Sequence, residues 1–186
     1  MLSRMTDIHP SDLDTLREQL GRKPRGVRAI ETRCPVGHPQ VVRVYPLVDG
    51  EPFPTLFWLS CPSLVRQIAQ LEHQGLIADL EALIARDDDL RAGLFENHRA
   101  YIAERWNELS ARDRQGVRDR GMADVFWERG IGGILNWTTV KCLHLHYAHH
   151  RARANVLGAW IDGHREIVAC RDESRDAFSP GGRRLE

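Results

Sequence analysis

The hydrophobic pattern of the chain changes period at Cys61-Pro62, and that break dictates the fold class. Before it, apolar residues come in short runs rich in β-branched and aromatic side chains: VRAIET (27–32), VVRVYPLV (41–48) and FPTLFWLS (53–60). Runs of this length, separated by CPVGHP and by Asp49-Gly50, predict strands joined by turns. After it, Leu64, Ile68 and Leu71, then Leu76, Leu80, Leu83 and Ile84, recur at three- and four-residue intervals, the spacing of one helix face. The expectation is an α+β fold, with a small antiparallel sheet near the N-terminus packed against a mostly helical C-terminal body.

Local punctuation divides the rest. A first helix is expected over 9–22, with Ser11 as N-cap and Gly21 as its stop. Pro62 suits a first helical position, and Asp87, Asp88 and Asp89 place negative charge where a long helix to about Leu109 begins. Ser110 with Asp113 opens a short helix, and a further helix is expected from about Thr138 to Ala154, then a final element over 156–168. GIGG (130–133) reads as a hinge or a point of tight packing, since it lacks both the Walker ending and the full dinucleotide fingerprint. Residues 1–170 are read as one domain. Residues 171–186 combine charge, Ser-Pro and Gly-Gly with only Phe178 and Leu185 as sizeable apolar groups, so a disordered tail is expected.

Composition excludes several classes. The 26 basic and 26 acidic side chains cancel, so no global pull toward nucleic acid is expected, and the basic groups at 22–28 and 112–120 read as solvated faces. No apolar run of transmembrane length and no secretory signal are visible, which points to a cytoplasmic protein without membrane insertion. Four widely spaced cysteines, Cys34, Cys61, Cys142 and Cys170, then read as buried filler, reactive thiols or metal ligands, not as a disulfide framework.

Chemistry concentrates in KCLHLHYAHH (141–150). As a helix turning about 100° per residue, it puts Val140, Leu143, Tyr147 and Ala154 on a core face. Cys142, His146 and His149 then share a neighbouring side at spacings of four and three, which let helical side chains meet one ion, while His144 and Arg151 point elsewhere. Cys34 lies in a turn and Cys61 where strand gives way to helix, both suitable mounts for thiolate ligands. Three Cys plus one His is a zinc ligand set, and thiolates also hold iron–sulfur clusters. No CxxC pair is present; inert core cysteines and imidazoles that merely satisfy hydrogen bonds are the competing reading. His98, in register with Leu94 and Tyr101 or Ile102, reads as a core histidine.

The ordered set RCPVGHPQVV, PFPTLFWLSCPSL, LE-x-x-G, GIGGI and VKCLH-x-x-x-AH, spanning about Leu13 to Gly158, resembles the bacterial domain-of-unknown-function family numbered five hundred and one. The resemblance implies no established activity. It implies genes placed beside those for enolase, a septum-formation initiator and an exopolyphosphatase, hence a possible partner in the division machinery. It also implies that Cys34, Cys61, Cys142, His144 and His149 belong to the family pattern, with His38 and His146 local additions.

Three functional expectations follow. The first is a zinc or iron–sulfur site joining sheet to helical body, with Cys34, Cys61 and Cys142 as thiolate ligands and His149 or His146 completing the set. The second is a thiol-dependent or hydrolytic enzyme, with Cys61 or Cys142 as nucleophile and His144 as catalytic base. The third is a non-catalytic interaction module of cell division.

Overall fold

Residues 8–168 and 170 are described by a computed structural model, and the tail expected over 171–186 lies outside them. Helix α1 (Pro10–Leu20) is capped by His9, not by Ser11: the imidazole accepts the Ser11 amide and the Asp12 carboxylate returns to the His9 amide at 3.0 Å. It ends where expected, at Gly21 in the left-handed region that a side chain would disfavour.

The sheet follows at once. Strands β1 (Val27–Arg33), β2 (Pro39–Val44) and β5 (Phe57–Leu59) are antiparallel in the order β1-β2-β5, and β3 (Leu47–Val48) and β4 (Glu51–Pro52) form a separate hairpin across Asp49-Gly50. Both turn residues have positive φ, the conformation that matches a tight hairpin to strand twist. Central strand β2 is buried throughout. Helix α1 covers one face of the sheet, around Leu16, Ile30, Val42 and Val44, and is pinned there by Asp12 gripping Arg33 at 2.7 and 2.9 Å.

Beyond Cys61 come α2 (Pro62–His73), α3 (Leu76–Arg86), α4 (Asp88–Glu108), α5 (Ala111–Asp119), α6 (Ala123–Glu128), α7 (Leu143–Ala152) and α8 (Val156–His164). The expected starts hold: Asp87, in the acidic triplet, accepts the Leu90 amide to open α4, and Ser110 accepts the Asp113 amide to open α5. The α+β architecture is therefore as expected. Helix α7 is the hub, lying against β5, α2 and α8, and the main core gathers Phe57, Ile68, Leu80, Leu94, Leu143 and Leu157 around it. A chain of ions locks sheet to helices: Arg43 pairs with Glu108 and with Glu31 (2.8 Å), and Arg153 bridges Glu31 (2.8 Å) to Glu104 (2.6 Å).

One local expectation is corrected. The helix expected from Thr138 begins only at Leu143: Cys142 is extended, and the Leu143 amide, which an earlier helix would turn back on the Thr139 carbonyl, donates to Glu72 (2.6 Å). Of the two readings of GIGG, tight packing holds: a Cβ on Gly133 would stand 2.9 Å from Pro54, and Ile131 is buried. Among the described residues, no helix is long and apolar enough to cross a membrane.

Candidate metal centre

The late start of α7 decides which side chains meet. Cys142 precedes the helix in extended conformation, so the helical-face grouping of Cys142 with His146 and His149 does not apply to it. Its Sγ instead lies 3.5 Å from His144 Nδ1. Glu72, near the end of α2, brings Oε1 to 3.1 Å from the same nitrogen and accepts the Leu143 amide. Among the described residues, the set of three or more potential ligand atoms within 4.8 Å of one another is Glu72, Cys142 and His144. All three are partly buried, the His144 and Glu72 side chains at 23% and 24% exposure, so solvent reaches them.

His144 is held from behind. Its Nε2 stands 3.0 Å from the Val65 carbonyl, which orients the ring and turns Nδ1 toward Cys142 and Glu72. The Cys142 contact pushes the His144 pKa up to about 9, against the effect of burial and with help from Glu72. Burial acts to raise the Glu72 pKa, but His144, the Leu143 amide and Cys142 together hold that carboxyl below its ordinary value. The N-terminal end of α7 adds the positive end of a helix dipole, favourable to anionic ligand atoms.

The other predicted ligands go elsewhere. Cys61 caps the N-terminal end of α2, whereas Cys142 and His144 dock between Val65 and Glu72, about 10 Å further along the helix axis. Burial pushes the Cys61 thiol up, and its sulfur neighbour is Cys170. Cys34 is buried in the β1–β2 turn, its amide donating to His38. Neither Cys34 nor Cys61 joins Cys142 in a close ligand set.

His146 and His149 lie on the buried side of α7. Asn155 caps α8 by accepting the Leu157 and Gly158 amides on Oδ1, and its Nδ2 stands 3.3 and 3.2 Å from Nδ1 of His146 and His149. One amide thus satisfies two imidazoles and a helix end. His149 also stacks on Phe57 and meets Tyr101 edge-on. Burial drives the His146 pKa down to about 3 and that of His149 to about 4. His98 joins this interior from α4, fully buried, its Nδ1 accepting the Ile131 amide and its pKa lowered by burial to about 4. Core packing accounts for all three.

A thiol, an imidazole and a carboxylate aimed at one point can bind a cation, or activate the thiol through the imidazole. Glu72 was missed as a site residue, although the Leu-Glu-x-x-Gly motif at 71–75 contains it; as one carboxylate on an amphipathic helix it carries no ligand spacing of its own. A family model described as "Protein of unknown function (DUF501)" matches residues 30–163, which include the whole Glu72, Cys142 and His144 set. No curated relative and no solved structure matches the chain.

Proposed function

The chain belongs to the DUF501 family, and from that premise we propose that it is a metal-binding protein holding one zinc ion on Glu72, Cys142 and His144. The observation that carries this reading is the ligand spacing. Tetrahedral zinc, with bonds of about 2.3 Å to sulfur and about 2.0–2.2 Å to nitrogen or oxygen, separates a sulfur–nitrogen ligand pair by about 3.6 Å and a nitrogen–oxygen pair by about 3.3 Å. The corresponding pairs stand at 3.5 and 3.1 Å. The Val65 carbonyl supports it further, since a metal-bound histidine typically donates its other ring N–H to such an acceptor. One thiolate suits zinc better than an iron–sulfur cluster, which takes several. Three protein ligands leave a fourth position for water, so the bound ion would supply Lewis-acid chemistry at a solvent-accessible point.

The second reading keeps the same atoms without metal: Cys142 as nucleophile and His144 as its proton partner, favoured by the 3.5 Å contact. Elemental analysis of protein purified anaerobically, without added metal or chelating resin, separates the two. About one zinc per chain is expected, lost in E72Q, C142S and H144Q and retained in C34S and C61S. Retention in H144Q with loss in C34S or C61S would overturn the ligand assignment. A metal-free parent whose Cys142 is selectively alkylated at neutral pH, and no longer so in H144Q, would establish the thiol reading.

A further inference from the structure

A cleft of about 460 Å³ opens where the end of the sheet meets α2, α7 and the segment after α8, and its charge is one-sided. Arg33, Arg151 and Arg165 line it against one carboxylate, Asp162. One of these four charges is already matched, Arg33 being gripped by Asp12, while Asp162 accepts the Tyr147 hydroxyl at 2.8 Å and contacts His150 at 3.1 Å. Arg151 and Arg165 have no carboxylate partner among the described residues. Arg165 is held over the Trp160 ring and donates to the His164 carbonyl, which fixes its position without neutralising it. Gln40, only 3% exposed, lines the same cleft, and its Oε1 has no hydrogen-bond partner.

We propose that this cleft binds a small phosphomonoester bearing hydroxyl groups. A phosphomonoester carries nearly two negative charges at neutral pH, and guanidinium forks match phosphate oxygens, so the two arginines without a carboxylate partner suit one phosphate group. A monocarboxylate would leave one arginine unmatched. The orphan acceptor on Gln40 calls for a ligand donor, which a hydroxyl supplies, since a buried acceptor left unpaired is destabilising. The volume fits a small metabolite and not a polymer. With 26 charges of each sign, the chain has no wider field to gather a polyanion. The site is separate from Glu72, Cys142 and His144 and does not rest on the zinc reading.

Calorimetric titration of the full chain with glucose 6-phosphate tests it, with glucose, citrate and an RNA oligonucleotide as comparisons. Saturable binding of the phosphate ester is expected, weakened about tenfold or more in R151Q/R165Q, whose exposed substitutions leave the melting curve unchanged. Q40E, which puts a carboxylate beside the same anion, is expected to abolish it. Binding of glucose or citrate as tight as that of glucose 6-phosphate would overturn the proposal. So would tighter binding of RNA, equal affinity in R151Q/R165Q, or no saturable binding.

Discussion

Asn155 and His149 are joined in the core: the amide Nδ2 lies 3.2 Å from the imidazole Nδ1, which accepts because Oδ1 faces the α8 amides. The same amide reaches His146 at 3.3 Å, while Oδ1 caps α8. Asn155→Leu keeps the size and removes every one of these bonds, leaving two buried imidazoles and the α8 amides unpaired. A loss of about 2–4 kcal/mol is expected in urea unfolding. A loss under about 0.5 kcal/mol would mean that other groups satisfy the imidazoles.

Acid should unfold the protein through the same interior. His98 and His149 have folded pKa values of about 4 and His146 of about 3, below the ordinary 6.5, because burial disfavours the charged ring. For a depressed pKa, the unfolded chain takes up the proton first. The stabilisation is therefore complete above about pH 6.5 and is lost as pH falls from there toward 4 and below. Three such groups give a slope of up to roughly 4 kcal/mol per pH unit in that window. Unfolding free energies measured between pH 7.5 and 4.5 check it, and H149N should reduce the slope by about one proton. A flat profile would count against neutral buried rings.

Gly158 marks a close approach of α8 to α7. A Cβ there would stand 2.1 Å from the His150 Cβ, whereas one on Gly163, in the same helix, would meet nothing within 4 Å. G158A is expected to destabilise by about 1–3 kcal/mol, a fall of several degrees in Tm. G163A should match or exceed the parent, since alanine favours helix. Equal melting of the two variants would show that the helices can separate without cost.

The histidines of α7 should sort by role in a paired test. H144Q should stay folded and lose bound zinc. H146Q should keep zinc and melt lower, because its ring fills the core beside Asn155 and His98. The reverse pattern would restore the helical face that sequence spacing suggests.

That sorting is where sequence reading reached its limit. The strand runs, the Gly21 stop, the Asp87 and Ser110 caps and the Asp49-Gly50 turn were legible because each signal lies within a few residues of its effect. The start of α7 was not, since the amide of Leu143 is claimed by Glu72, 71 residues earlier. A shift of five residues at that end took Cys142 off the helix. It also exchanged the roles of His144 and His146. The metal-type residues were found within KCLHLHYAHH, but their grouping depended on a carboxylate from another helix.

The distance in sequence between Glu72 and Cys142 has a consequence for when a cation can be captured. The complete set exists only after α2 and α7 have docked, beside an apolar core that includes Ile68, Leu143 and Leu157. A cation held by this set would therefore load late, once both helices are in place.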